Sequence, residues 1–296
     1  IRTVFEAPTV EALAASLRVG GAARPHLLAQ ARPDEIPLSF AQQRLWFLHR
    51  LHPNSSTYAI PIAVRLMGKL DVACLAAAFR DVVQRHESLR TIYPETSGAP
   101  RQEIVPAGEV AFTTSVVTVA ELQAALADVV GRGFDLASDL PLRAHVFVVA
   151  PDEHVLLMVL HHIAGDGWSI APLARDLSTA YHDRTSGLAP QWPPLPVQYA
   201  DYTLWQHSTL GREDDPDSPI SRQLAYWKAA LTSLPEQLEL PTDRSRPLIA
   251  SHRGDRVVME IPPALHAALE RLAQSGQATL YMVLQAGLAA LLTRLG

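Results

Sequence analysis

The strongest constraint on the fold is a pair of apolar runs, the second of which ends at two adjacent histidines. The runs cover residues 142–149 and 154–160, and the four residues between them form a turn signature, Ala-Pro-Asp-Glu. Two apolar runs joined in this way predict a β-hairpin. Because the second run continues directly into His161 and His162, the hairpin places both imidazoles at the end of a strand.

The remaining pattern predicts a mixed α/β architecture. Helical spacing and capping residues predict helices at 40–50, 71–84, 119–130, 169–181, 221–231, 263–274 and 279–295. Further strands are expected at 58–66, 89–93, 102–105 and 257–261. Helices and strands are interleaved without a regular βαβ rhythm, which favours an α/β sandwich over a doubly wound parallel sheet.

The composition and charge of the chain argue against nucleic acids and membranes as partners. The chain has 296 residues and a formal net charge of −5, so it lacks the basic surface that nucleic-acid binding needs. No apolar stretch reaches the roughly 20 residues that span a bilayer, and no signal peptide opens the chain. We therefore expect a cytoplasmic protein without a membrane contact. The single cysteine, Cys74, is expected to be a buried, reduced thiol.

The first 35 residues differ from the rest. Residues 1–18 predict a short helix capped by Thr9, too short to be stable alone. Residues 19–35 are rich in glycine, proline, alanine and arginine, which predicts a linker. The main domain is expected to begin at Ile36.

The segment His161-His162-Ile163-Ala164-Gly165-Asp166-Gly167 carries the chemistry. Strand alternation turns adjacent histidines to opposite faces, so one imidazole faces the interior and the other a reaction space. An imidazole suits proton transfer near neutral pH. Gly165 and Gly167 allow a tight turn around Asp166. Ser169 is expected to cap the following helix and direct its N-terminus at the site.

Three other interpretations of this loop remain open. The first is purely structural, with a buried histidine and an N-capping aspartate. The second is a metal site, which is disfavoured because adjacent strand residues point apart and no further ligand cluster joins them. The third is the His-x-x-x-x-Asp pattern of glycerolipid acyltransferases, spanning His161 to Asp166. The lack of membrane-embedding helices and of a basic phosphate-binding stretch counts against it.

Four ordered segments resemble the core motifs of nonribosomal peptide synthetase condensation domains, within the His-His-x-x-x-Asp-Gly acyltransferase superfamily. They are residues 39–48, 85–93, 161–167 and 199–205. In addition, residues 5–14 resemble the last helix of a peptidyl carrier domain. The resemblance therefore implies the tail of a carrier domain at 1–18, a linker at 19–35 and a condensation domain from 36 onward.

The family implies a chloramphenicol-acetyltransferase-like α/β sandwich of two lobes. The first lobe is expected at 36–206, and 207–296 would begin a second lobe that is truncated here, so this fragment alone is expected to be inactive. The implied reaction joins a donor aminoacyl or peptidyl thioester to the amine of an acceptor aminoacyl thioester. No cofactor or metal is expected to bind directly. Upstream and downstream carrier domains would present both substrates on phosphopantetheine, beside an adenylation domain.

The resemblance also implies roles for individual residues. His162 is the expected reactive imidazole, acting either as a general base or by orienting the amine and stabilising charge. His161, Asp166 and Gly167 are expected to support the loop, with Asp166 paired to an arginine. A further set is expected to line the substrate channel or to support the loop from behind: Gly165, Trp168, Ser169, Arg44, Arg90, Tyr199, Asp201 and Trp205.

Two alternative functions remain, a free-standing acyltransferase that uses coenzyme A and a catalytically silent recruitment domain. The carrier-like tail argues against the first, and the intact histidine loop argues against the second. The acidic stretch at 211–217 and the segment 162–169 also resemble variants that accept a D-configured donor.

Overall fold

The computed structural model describes residues 9–18, 25–53, 55–96, 98–106, 108, 111–235, 240–245, 247, 254–255 and 257–295. The chain divides into two compact units, residues 1–223 and 224–296. Residues 5–8 of the carrier-like segment and 19–24 of the predicted linker lie outside the described residues. The helix predicted near the N-terminus is present as α1 (Val10–Arg18), and the Thr9 hydroxyl accepts a hydrogen bond from the Ala12 amide.

The first unit is built on a four-stranded sheet. Its strands are β2 (Ala59–Met67), β6 (Ala111–Val116), β7 (Leu142–Ala150) and β8 (Glu153–His161), in the order β2-β8-β7-β6. The predicted hairpin is confirmed as the antiparallel pair β7–β8, and β2 lies antiparallel on the other side of β8. β6 is parallel to β7. Because β8 is central and eight of its nine residues are buried, its apolar sequence contains no polar alternation.

Helices cover both faces of this sheet. On one face α3 (Val72–Arg85) and α5 (Gly167–Thr185) bury Phe79 and Leu173 against Leu160 and its neighbours. On the other face α4 (Val119–Gly131) packs with Phe147 and Val159. Adjacent residues of β8 therefore enter two different cores. This arrangement is the α/β sandwich that the sequence predicts.

A smaller sheet lies beside the second core. It joins β1 (Ile36–Pro37), β3 (Thr91–Ile92), β4 (Glu95–Thr96) and β5 (Ala99–Ile104), with β5 in the centre. A 3₁₀ turn at Glu87–Arg90 leads into β3. Two helices flank this region, α2 (Phe40–Leu51) and α6 (Tyr199–Leu210). Ser39 caps α2 in a reciprocal capping box with Gln42, as its position in the sequence predicts.

After α6 an exposed, acidic loop leads to α7 (Pro219–Ala230). The second unit contains α8 (Pro263–Ser275) and α9 (Leu280–Leu295), which contact each other. The strand predicted at 257–261 is wrong, since these residues form no regular structure and Val257 is 95% exposed. A run of β-branched residues becomes a strand only where a partner supplies the ladder.

No single helix in the described part of the chain is long and apolar enough to cross a membrane. Among the described helices, α8 and α9 meet that criterion when taken together, and the pair is bent by 101°.

Candidate active site

The two histidines lie at the exit of β8 and differ sharply in exposure. His161 is 2% exposed, whereas His162 is exposed. Both backbone amides are held by neighbouring chain segments, because the His161 N–H donates to the Pro141 carbonyl at 2.9 Å and the His162 N–H donates to the Tyr58 carbonyl at 2.8 Å. The backbone is therefore fixed at both positions, while only the His162 imidazole reaches solvent. The alternation expected of a strand is observed.

His161 is a neutral, structural imidazole. Its Nδ1 accepts a hydrogen bond from the Ile163 amide at 3.1 Å, so the ring proton lies on Nε2. Phe134 meets the ring edge-on with centroids 5.7 Å apart, and His49 does so at 6.3 Å. Burial, followed by the neighbouring imidazoles of His49 and His162, lowers the pKa of His161 to about 4. At neutral pH the ring therefore acts as an acceptor that fixes the loop.

Asp166 holds the loop by capping α5. Its Oδ1 accepts hydrogen bonds from the Trp168 amide at 3.0 Å, the Ser169 amide at 3.1 Å and the Ser169 hydroxyl at 3.0 Å. The Ser169 Oγ in turn accepts from the Asp166 amide at 3.0 Å. The prediction that Ser169 caps this helix is wrong, since Ser169 is the reciprocal third residue of the capping box. No arginine of the described residues forms an ion pair with Asp166, so the expected pairing of Asp166 with an arginine stays a prediction.

Gly165 is closely packed. A Cβ at this position would lie 2.8 Å from Leu160 Cδ2 and 3.2 Å from the Ser169 Cβ. A larger residue would therefore press on the Leu160 side chain and on Ser169, the third residue of the capping box. Gly167, by contrast, opens α5 in open space, where a Cβ would meet no atom within 4 Å, so its position is set by the cap and not by crowding.

The capping role of Asp166 gives a stability prediction. Asp166→Ala removes the acceptor for three donors and is expected to lower the free energy of unfolding by about 1–2 kcal/mol. Asp166→Asn keeps a side-chain oxygen of equal capping quality and should retain most of that stability. Urea unfolding of the three proteins measures the difference. If the asparagine variant is destabilised as much as the alanine variant, the cap is not what Asp166 contributes.

The loop forms one wall of a cleft of about 420 Å³. Six residues that the sequence singled out line it together: Arg44, His162, Gly165, Asp166, Ser169 and Tyr199. The Tyr199 hydroxyl hydrogen-bonds Ser39 Oγ at 3.0 Å. Burial raises the pKa of Tyr199, and the nearby charge of Asp166 acts in the same direction, so its hydroxyl stays protonated. The cleft therefore presents an imidazole, a neutral phenol, a guanidinium and a capped carboxylate to one space.

The other predicted residues lie elsewhere. Trp168 is 91% exposed and lines an adjoining pocket of about 310 Å³, which shares Ser88, Ala164 and Ser169 with the cleft. Arg90 donates to the Val105 carbonyl at 2.8 Å and lies 3.7 Å from the Glu87 carboxylate, outside the cleft.

Asp201 and Trp205 contact the segment upstream of β1. Asp201 pairs with Arg32, and the Trp205 indole N–H donates to the Pro25 carbonyl at 2.6 Å. Burial alone would raise the pKa of Asp201, but hydrogen bonds from the Gln198 amide and from Arg32 outweigh it and lower that pKa. Neither residue lines the cleft.

Sequence reasoning missed several residues that line the cleft. Three of them, Ser88, Ala41 and Leu45, lie inside the motif segments 39–48 and 85–93, and their position in these motifs could have indicated them. Tyr58 lies outside the four motif segments. It reaches the site because the next residue, Ala59, pairs with His161 across β2 and β8. No group of three or more potential ligands in the described part of the chain is arranged to hold a metal ion.

Comparisons with known proteins agree with this geometry. The family model described as the condensation domain matches residues 32–296. A dimodular nonribosomal peptide synthase of Bacillus subtilis is 54% identical over 298 residues, covering 100% of this chain and 12% of that protein. An isonitrile lipopeptide synthase of Mycobacterium tuberculosis is 50% identical, over 91% of this chain and 11% of that protein. The chain thus spans about an eighth of the length of these relatives.

A solved structure has the same fold. The X-domain from teicoplanin biosynthesis, in its complex with OxyB, is 39% identical with a TM-score of 0.86, over 94% of this chain and 61% of that one. The fold is a chloramphenicol-acetyltransferase-like α/β sandwich. The chain belongs to the condensation-domain family of nonribosomal peptide synthetases, as its four motifs predict.

Proposed function

We propose that the condensation domain to which this chain belongs forms amide bonds between two carrier-bound thioesters, with His162 as the reactive imidazole. The observation that carries the proposal is the position of His162, the exposed member of the histidine pair, on the wall of the 420 Å³ cleft. The acceptor amine attacks the donor carbonyl, the C–S bond breaks, and the amine proton leaves with the released thiol. His162 either takes that proton or orients the amine, and both roles place its ring beside the nitrogen.

The supporting residues follow from the geometry of the loop. His161 and Asp166 fix the backbone on either side of the turn through the Ile163 amide and the helix cap. Tyr199 and Arg44 line the same cleft, where they can meet the thioester carbonyl or the amide groups of the tethered substrates. We assign Asp201, Trp205 and Arg90 to support of the surrounding structure, because they lie outside the cleft.

The substrates are proposed to arrive on phosphopantetheine arms of an upstream donor carrier and a downstream acceptor carrier, next to an adenylation domain. The relatives support this proposal because they are large peptide synthases. Tethering both substrates lowers the entropic cost of their encounter. The domain limits at 18, 35 and 206, and the inactivity of the 296 residues alone, stay predictions.

The test is a single-turnover assay on the intact polypeptide with both carriers loaded. Mass spectrometry of the acceptor carrier should show the dipeptidyl or peptidyl product. Arms with L- and D-configured donors decide the stereochemical preference, for which a D-donor is the prediction. A third arm supplies a coenzyme A thioester without a donor carrier. Product in that arm at the same rate would favour the free-standing acyltransferase instead.

A second candidate function is a recruitment domain without condensation activity. The 39% identity to an X-domain solved in complex with OxyB favours it. The same assay separates the two functions, because a recruitment domain leaves peptide output independent of His162.

A further inference from the structure

The segment immediately upstream of β1 is docked on the first unit instead of hanging free. We call residues 25–35 the strap. Its first residue accepts the hydrogen bond from the Trp205 indole at 2.6 Å, and Gln30 Nε2 donates to the Asp201 carbonyl at 3.2 Å. Both partners lie on α6. The family match begins at Arg32, so residues 25–31 are structural neighbours of the domain that the match does not include.

Arg32 is the centre of this docking. Its Nε and Nη2 lie 3.3 Å from the two carboxylate oxygens of Asp201, a bidentate pair, and its Nη1 lies 2.7 Å from Glu87 Oε2. The Asp201 side chain is 2% exposed, while that of Arg32 is 28% exposed. A carboxylate this buried needs compensation, which comes from the Gln198 amide at 2.8 Å and from Arg32, so Arg32 supplies the opposing charge.

The two carboxylates belong to two of the elements that line the cleft, the 3₁₀ turn and α6. Glu87 precedes Ser88, and Asp201 lies in the first turn of α6 with Tyr199; both Ser88 and Tyr199 line the cleft with His162. A second bond joins the same two elements, since the Glu87 amide donates to Gln198 Oε1 at 3.2 Å. Arg32 therefore links the 3₁₀ turn to α6 through Glu87 and Asp201.

We propose that Arg32 is a positioning residue, which anchors the strap and holds the 3₁₀ turn that carries Ser88 against α6, which carries Tyr199. Its effect on catalysis rests on the function proposed above, whereas its effect on the strap does not. The chain that enters the domain from upstream is thereby fixed to the domain at Pro25, next to α6, before it reaches β1. An upstream carrier then searches from a fixed point over a shorter tether, which raises its effective concentration at the cleft.

The first test measures how readily a protease cleaves the strap. Chymotrypsin cleaves after exposed leucines, and Leu28 in the strap is 67% exposed. Cleavage after residues 27 and 28, measured by mass spectrometry on the intact polypeptide, should be about tenfold faster in Arg32→Ala, because nicking follows the population of the opened segment. Arg80→Ala is the matched control, an exposed arginine on α3 with no ion pair in the described structure, and should cleave at the wild-type rate. Wild-type cleavage of the strap in Arg32→Ala would overturn the proposal.

The second test measures the effect of Arg32 on kcat. In the loaded-carrier assay, kcat of Arg32→Ala should fall about tenfold at a temperature where its circular dichroism is native, whereas Arg80→Ala keeps the wild-type kcat. Arg32→Lys keeps the positive charge but cannot form the bidentate pair, so it should restore part of kcat and cleave about threefold faster than wild type. This variant also serves if Arg32→Ala does not fold. A kcat unchanged in both variants overturns the positioning role. Failure of the wild-type protein to form any amide overturns the proposed function instead, and the cleavage test still stands.

Discussion

Replacing His162 with alanine is expected to lower the rate of amide formation by about 10²–10⁴-fold, the range that positioned acid–base groups contribute. The loss follows because His162 is the exposed imidazole that lines the cleft, while His161 is buried and bonded to the Ile163 amide. The backbone bond from the His162 amide to the Tyr58 carbonyl does not depend on the side chain. The free energy of unfolding should therefore stay within about 0.5 kcal/mol of wild type.

The measurement is single-turnover product formation on loaded carriers, with urea unfolding of the same preparation. His182→Ala is a suitable control, because His182 is an exposed histidine near the opposite end of α5, the helix that Asp166 caps. It should condense at the wild-type rate. Near-normal product formation by His162→Ala would remove His162 from the mechanism and favour the recruitment function.

The central hairpin and the separation of its two histidines could be predicted because they depend on local information. Residues 142–161 consist of two apolar runs and a turn, and their pairing needs no distant contact. The opposite exposure of His161 and His162 follows from strand geometry alone. The capping motif was only partly predictable. Asp166 and Ser169 are three residues apart and both are good caps, so the pattern alone does not say which of them opens the helix.

The rest of the site depends on contacts between residues far apart in sequence. Tyr58 reaches the cleft through the register of β2 on β8, and Ser88 reaches it through the 3₁₀ turn after α3. Asp201 belongs to a motif that resembles an active-site segment, yet its carboxylate pairs with Arg32, which lies 169 residues earlier in the chain. Residue type and spacing indicated that these positions matter. Only the packing shows whether a side chain lines the cleft or supports the wall behind it.

The burial of His161 gives the second large prediction, a loss of stability at mildly acid pH. The folded protein keeps this imidazole neutral down to a pKa of about 4, whereas the unfolded chain takes up the proton near the ordinary value of 6.5. The unfolded state therefore binds more protons between these two values. The contribution of the neutral His161 imidazole to stability is fully present above pH 6.5 and is lost as the pH falls to about 4. The total loss in the free energy of unfolding is about 3 kcal/mol. Below pH 4 both states are protonated, and the loss stops growing.

His161→Asn isolates this effect, because the asparagine oxygen can accept the Ile163 amide in place of Nδ1 and does not titrate. At pH 7 the variant should be less stable than wild type by about 2 kcal/mol, since the packing against Phe134 and His49 is lost. As the pH falls from 7 to 4 that difference should disappear or reverse. Urea unfolding at half-unit pH steps measures it, with His182→Ala expected to run parallel to wild type. Parallel curves for wild type and His161→Asn would mean that His161 takes up its proton at the same pH in the folded protein as in the unfolded chain, and that the loop beside His162 does not depend on its neutral ring.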